Sequence, residues 1–591
     1  MPRLAIDPLT RAGGSARVEL AVDGGVVSDA WASGMTFRGL ELSLRGRDPR
    51  DAWLLAQRIC GTCTGVHALA SVRAVENALA ITIPTNARHI RNLLAGTMLV
   101  RDHVMDFYLS QLQDWVDVQA ATTADPAATA KLAASQAQRQ GQAASDFAKV
   151  QDRLRAELAD GHPGVLGNGW WGHPAYRLSP EQDLLLVAHM LEAIGWQREF
   201  MRIQTLLGGK DPHPQTYLVG GMAVAPPWGG PSGASGRDHP QVPDANSPEA
   251  LSPDGYGFMS GQMVSARDFV LGAFVPDVAL LAAAYPEDVG LGAGPGGCLS
   301  AGEFPQGAKD TPEPLFPTGR LDQGNLEASQ RVENAEFTET VTSSWYLHSG
   351  GNDTLLSGSA GQTTPAWPGL ALPIQSLEGA TAYSWVKAPR YRGVPMEVGP
   401  LARVLVGLAN GQADLTAAIA QRVNSLNLTV DKLGGVVGRL LARSAEAEVV
   451  VQQLPLWLGD LRANLGAGDV AVADVTYWDP GSWPSEAKGF SLGEGPRGTV
   501  AHWVTIRDAV VADYQVIDAS TWNLSPRDGS NLRGPIETAL VGTPIADAQR
   551  PLEALRVVHS FAPCAACAAH VFSPRRDTPA EVVARVGEDI R

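Results

Sequence analysis

Four of the five cysteines in this 591-residue chain fall in two Cys-x-x-Cys pairs near opposite ends. Cys60 and Cys63 lie in Arg58-Ile59-Cys60-Gly61-Thr62-Cys63-Thr64-Gly65-Val66-His67. Cys564 and Cys567 lie in Pro563-Cys564-Ala565-Ala566-Cys567-Ala568-Ala569-His570. Two thiolates spaced i, i+3 reach one ion, and four make a soft anionic cage, so the pairs point to one four-thiolate metal site. Structural zinc is the commonest occupant of such a cage. Two features weigh against it. Zinc pairs that staple a small domain lie close in sequence, whereas these stand about 500 residues apart. A chain of this length also buries a core without a metal staple. A disulfide is disfavoured, because Cys-x-x-Cys is a redox or ligand spacing more than a structural bridge.

The two cysteine segments resemble the signatures of the nickel–iron hydrogenase large subunit. Ordered blocks carry the same resemblance along nearly the whole chain. They include Asp7-Pro8-Leu9-Thr10-Arg11, Phe37-Arg38-Gly39-Leu40-Glu41 and Arg47-Asp48-Pro49-Arg50-Asp51. They continue through Gly208-Gly209-Lys210-Asp211-Pro212-His213, Lys387-Ala388-Pro389-Arg390-Tyr391 and Glu397-Val398-Gly399-Pro400-Leu401-Ala402-Arg403. Pro496-Arg497-Gly498 and Ser520-Thr521-Trp522-Asn523-Leu524 complete them. The stretch Trp170-Trp171-Gly172-His173-Pro174-Ala175-Tyr176 is most similar to the membrane-bound uptake branch.

The resemblance implies a nickel ion on all four sulfurs and an iron sharing two of them, with carbon monoxide and cyanide on the iron. By position, Cys60 and Cys564 would be terminal on nickel, and Cys63 and Cys567 would bridge. A terminal thiolate such as Cys564 would take the proton when hydrogen splits. Arg497 would overhang the open face and Asp102 would hold it, although an Arg–Asp pair taken alone is usually structural. Pro496 and Ser520 would line the diatomic ligands, and His67 would hydrogen-bond near a bridging thiolate. A magnesium ion is also implied, held by Glu41, His570 and the Val516 carbonyl with retained waters, as suits a hard cation.

The implied reaction is H2 ⇌ 2H⁺ + 2e⁻, run as hydrogen oxidation. The cysteine count is too low for an iron–sulfur cluster beside the metal centre, so electrons would leave through an iron–sulfur small subunit. That interface is expected to be large and obligate. The resemblance adds a b-type cytochrome membrane anchor beyond the small subunit, and a maturation endopeptidase that cuts after His570. Residues 1–570 would then form one catalytic domain and 571–591 a removed extension. The alternative for 571–591 is an ordinary terminal helix. Exported relatives ride on a partner's twin-arginine signal, which implies the periplasmic side of the membrane, with the cytoplasm as the alternative. The N-terminal stretch lacks a signal-peptide core. A net charge of −16 argues against nucleic acid or an anionic membrane as a direct partner. No apolar run reaches the ~18 residues of a spanning helix.

Two departures bear on the chemistry. The family block Arg-x-Glu-Gly-His reads Arg11-Ala12-Gly13-Gly14-Ser15 here, so the glutamate that relays the proton is a glycine. The family's Asp-Pro-Cys reads Ala562-Pro563-Cys564, which removes a carboxylate near Arg497. A placed base is worth about 10²–10⁴-fold in rate. Its loss leaves open a hydrogen sensor or a catalytically impaired relative. It also leaves open a route through water beside Gly13, with Asp102 and Arg497 as other carriers. Gly13→Glu is expected to speed proton exchange if the gap limits the rate.

The elements that must position these residues are mainly helical, an α+β fold with a long central helix bundle and peripheral β-hairpins, as in the hydrogenase large subunit. Alternation over about 4–30 with a turn at Asp23-Gly24-Gly25 predicts a hairpin. Helical spacing runs from Asp51 to Leu79, broken at Gly61, and from Asn86 to Val118 through Ile90, Leu93, Leu94 and Met98. Further helices are predicted over 181–207, 411–444 and 445–465. The Pro- and Gly-rich stretch 226–256 reads as a surface loop.

Overall fold

The computed structural model describes residues 3–35, 38–136, 142–224, 251–307, 312–323, 325, 328–348, 353–355, 363–365 and 381–568. The predicted N-terminal hairpin is Ala16–Asp23 paired with Val26–Gly34, turning through Gly24 and Gly25, both left-handed. Arg3–Ile6 adds a third antiparallel strand at its edge. The first cysteine pair lies where expected, in the break between the 3-10 turn Gln57–Ile59 and the helix Thr64–Ala78.

The central helix Thr85–Met105 starts after Pro84, where a missing amide costs no hydrogen bond. It does not run on to Val118 as a plain helix. Asp106–Gln111 forms a wider π turn, a device that concentrates at functional sites. The helix packs along Val436–Gly466, which is 31 residues long. Gly96 permits the close crossing: a Cβ there would stand 2.9 Å from Leu454 and Trp457.

Two boundaries differ from expectation. The helices predicted over 411–444 and 445–465 are Ala413–Ser425 and Val436–Gly466. Asn427 takes a left-handed conformation that stops the first, and Gly435 stands at the start of the second. Nothing near position 445 interrupts the helix. Of the expected loop 226–256, residues up to 250 lie outside the described residues. Its end is a helix start: Ser252 caps Pro253–Phe269 by accepting from the Gly255 amide, with Pro253 in the first turn.

The C-terminal third contributes the antiparallel meander Glu486–Gly495, Gly498–Arg507, Val510–Ile517, then the helices Ala519–Asn523, Leu552–Ser560 and Ala565–Ala568. One large hydrophobic cluster draws residues from Leu9 to Cys567 and contains all four paired cysteines. Helical bundle and flanking sheets therefore share one core, with the thiols inside it. No described helix is long and apolar enough to cross a membrane. His570 and residues 571–591 lie outside the described residues.

Candidate metal centre

Cys60 ends the 3-10 turn in an extended conformation, and Cys63 opens the helix Thr64–Ala78. The amides of Thr62 and Cys63 reach Cys60 Sγ at 3.4 and 3.2 Å, which favours a thiolate there. From the other end of the chain, the Cys564 amide donates to Ser520 Oγ at 3.0 Å, and Cys567 follows on its short helix. Gly13 forms a parallel bridge with Cys564 and accepts from the Ala566 amide at 3.0 Å, so the N-terminal segment backs the second pair.

The four sulfurs converge. Cys60 to Cys564 is 3.9 Å, Cys63 to Cys567 is 3.9 Å and Cys564 to Cys567 is 2.8 Å. All four are free and buried. Hydrogen bonds from the Cys564, Cys567 and Cys63 thiols hold Cys60 well below its ordinary pKa. Burial and the neighbouring thiols push Cys567 well above its own. Buried together, the cluster favours thiolate at Cys60 while resisting it at Cys567. A thiophilic cation removes that conflict by replacing protons, so the donor set fits a soft metal.

Arg497 sits at the tip of the hairpin between Glu486–Gly495 and Gly498–Arg507. Gly399 lies beneath the tip, where a Cβ would stand 2.8 Å from the Arg497 carbonyl. The guanidinium donates to Thr62 Oγ1 at 3.0 Å and to Asp102 Oδ1 at 3.1 Å. Burial opposes its charge, but Asp102 and the cysteines outweigh that and hold its pKa well above its ordinary value. Asp102 Oδ2 is buried with no hydrogen-bond partner among the described residues. Pro496 is at the same tip, and its carbonyl accepts from Arg403 at 3.1 Å.

His67 stands with Cys63 and Cys567, its nearest ring nitrogen within 4.8 Å of both sulfurs. Its Nδ1 is 3.1 Å from His502 Nε2, and His502 Nδ1 is 2.8 Å from the Tyr514 hydroxyl. Burial pushes the His67 imidazole down to about 4, which keeps it neutral.

Glu41 and Val516 meet: the Val516 amide donates to Glu41 Oε1 at 2.8 Å. Lys387 Nζ lies 3.3 Å from both Glu41 oxygens and 3.4 Å from Glu339. Two carboxylates around one ammonium leave a net negative charge, which suits a further hard cation.

Both sequence departures open onto one cavity of ≈ 210 Å³. Gly13, Ala562, Thr62, Arg497, Asp106 and Ser110 lie on its wall, with Arg11 and His559. A side chain at position 13 would press on the second cysteine pair. A Cβ there would stand 2.6 Å from Cys564 Sγ, so Gly13→Glu would displace that side chain as well as supply a base.

Comparison with known proteins agrees with this geometry. The family described as nickel-dependent hydrogenase matches residues 38–570. The chain belongs to this family. It is a hydrogenase, and its family is one that carries a nickel–iron centre. The chain is 40% identical to the uptake hydrogenase large subunit of Bradyrhizobium diazoefficiens, over 99% of its own length and 97% of that protein's. It is 38% identical to the hydrogenase-1 large chain of Escherichia coli K12, over 96% and 95%. A solved Ni-Fe-Se hydrogenase from Desulfovibrio vulgaris Hildenborough, in the reduced state, superposes with a TM-score of 0.73 at 28% identity, covering 96% of this chain and 100% of that one.

Several residues of this hydrogenase site carry no local signal. Thr62 bridges Cys60 and Arg497. Asp518, whose carboxyl burial raises to about 6, caps the helix that carries Ser520. His502 comes from a strand more than 400 residues after His67. Asp106 alone had a sequence cue, lying four residues after Asp102 on one helical face.

Proposed function

We propose that the chain is the catalytic large subunit of an uptake hydrogenase, H2 ⇌ 2H⁺ + 2e⁻ run as hydrogen oxidation. The convergence of four buried thiols beneath Arg497 carries this reading. Cys60, Cys63, Cys564 and Cys567 would hold a nickel–iron centre. Carbon monoxide and cyanide on the iron would complete it, and the bound centre supplies the hydrogen-splitting chemistry.

The chain's own residues supply the rest. Arg497 presents a fixed positive charge over the site, held by Asp102 and Thr62. Cys564 holds the first proton at its sulfur. Ser520 Oγ accepts from the Cys564 amide, and its hydroxyl proton would be available to a cyanide on the iron. Pro496 would line the diatomic ligands beside it. Neutral His67 buttresses the Cys63–Cys567 side. Glu41, Val516 and His570 would hold a magnesium ion, the negative balance around Lys387 supporting the site.

An iron–sulfur small subunit would take the electrons, with a b-type cytochrome beyond it at the periplasmic face of the membrane. The family match ends at His570, which supports residues 1–570 as the catalytic domain and removal of 571–591 by a maturation endopeptidase.

A second reading is a hydrogen sensor or impaired relative, favoured by Gly13 and Ala562. Deuterium–proton exchange on the purified complex, with nickel and iron content measured on the same sample, tests both. Fast exchange from metal-loaded protein is expected. Loaded protein without exchange would favour the second reading, and protein without nickel would sink both.

A further inference from the structure

The cavity walled by Gly13 and Pro563, the neighbour of Cys564, has one carboxylate among its described lining residues. We infer that Asp106 is the proton acceptor of this chain, reached through water in the space that Gly13 and Ala562 leave open. The inference rests on the hydrogenase reading above and concerns where the released proton goes.

The wall residues decide among themselves. Arg11 and Arg497 are guanidiniums, donors without a lone pair to offer. His559 has both ring nitrogens engaged, Nδ1 with Asp114 Oδ2 at 2.6 Å and Nε2 with the Thr10 carbonyl at 2.9 Å. Neither nitrogen offers a lone pair to the cavity. Thr62 and Ser110 carry hydroxyls, which are weak bases. Asp102 gives Oδ1 to Arg497, and it does not lie on this wall. Asp106 is the single carboxylate among the described lining residues. Its two contacts, Gln111 Nε2 at 2.5 Å and Arg443 Nε at 3.5 Å, both fall on Oδ2, which leaves Oδ1 to the cavity. The π turn Asp106–Gln111 begins at this residue, and Ser110 shares the wall with it.

A polar cavity of ≈ 210 Å³ has room for several waters with partners. The step is proton transfer alone. A cavity water takes a proton released at the cysteine cluster and gives one to Asp106 Oδ1. The water is restored, the carboxylate becomes a carboxylic acid, and no electron or heavy-atom bond moves. Hydrogen evolution runs the same step backward.

The test uses the complex with its small subunit and the variants Asp106→Asn, Asp106→Glu and Ser110→Leu. Three readouts are taken: nickel and iron content, the ratio of HD to H2 formed from D2 in H2O, and the infrared carboxylic-acid band that shifts in heavy water. With metals fully loaded, Asp106→Asn should slow exchange with solvent about 10²-fold and lose the band. Asp106→Glu should recover most of the exchange. Ser110→Leu, which fills the cavity and keeps Asp106, should also slow exchange. If Asp106→Asn fails to load metal, Ser110→Leu decides. Exchange within about twofold of the parent in a loaded Asp106→Asn or Ser110→Leu variant overturns the inference. Absence of nickel and iron from the parent complex would instead remove the hydrogenase reading beneath it.

Discussion

Gly13 and Cys564, bridged in parallel, approach so closely that a Cβ at position 13 would stand 2.6 Å from the Cys564 sulfur. Such contacts essentially require movement, and here the contacted atom belongs to a proposed metal ligand. Gly13→Ala should therefore lower nickel retention and cost about 1–3 kcal/mol of stability, as overpacking does. Nickel content and thermal midpoint check this. Full nickel and fast exchange in Gly13→Glu would show that the segment shifts freely.

Arg497 bonds two partners from different elements, Thr62 after the first cysteine and Asp102 on the central helix. Lysine keeps the charge but loses the planar fork. Arg497→Lys should retain nickel while slowing exchange by roughly 10²–10³-fold, the scale of a lost preorganised donor. Retained exchange would mean that charge alone suffices.

Gly96 lets the central helix lie against Val436–Gly466 at Leu454 and Trp457. Gly96→Leu should wedge them apart and cost on the order of 1–3 kcal/mol. A lowered thermal midpoint with normal exchange in the folded fraction is expected, since Gly96 touches none of the site residues. An unchanged midpoint would mean that the helix pair yields without cost.

Glu537 lies in the core, accepting from the Ala32 amide at 3.0 Å and the Tyr383 hydroxyl at 2.9 Å. Burial pushes its carboxyl up to about 7. Between the ordinary glutamate value of about 4.3 and pH 7 the folded chain binds the extra proton, so this group's contribution to stability falls as pH rises. Glu537→Gln should remove that component. The difference between parent and variant unfolding curves across pH 4–8 measures it, and a flat difference would refute the assignment.

Mature active protein is expected to end at His570. Intact mass decides, because full-length protein that carries nickel and turns over would exclude processing as a requirement.

The donor types, their i, i+3 spacing and the blocks around them were legible in the linear chain, because ligand chemistry and tight turns are local properties. So was the mainly helical pattern, down to the break at the first cysteine pair. The helix boundary near 435 was not, since Gly435 acts through its place at the start of a helix whose apolar stripe runs on past 445. Which carboxylates matter was decided only in three dimensions. Asp106 gains its meaning from a cavity walled by segments near positions 13, 62, 110, 497 and 562, a juxtaposition that no local spacing encodes. The same holds for the Glu41–Lys387–Glu339 cluster, whose charge balance exists only once a helix, a loop residue and a strand pack together.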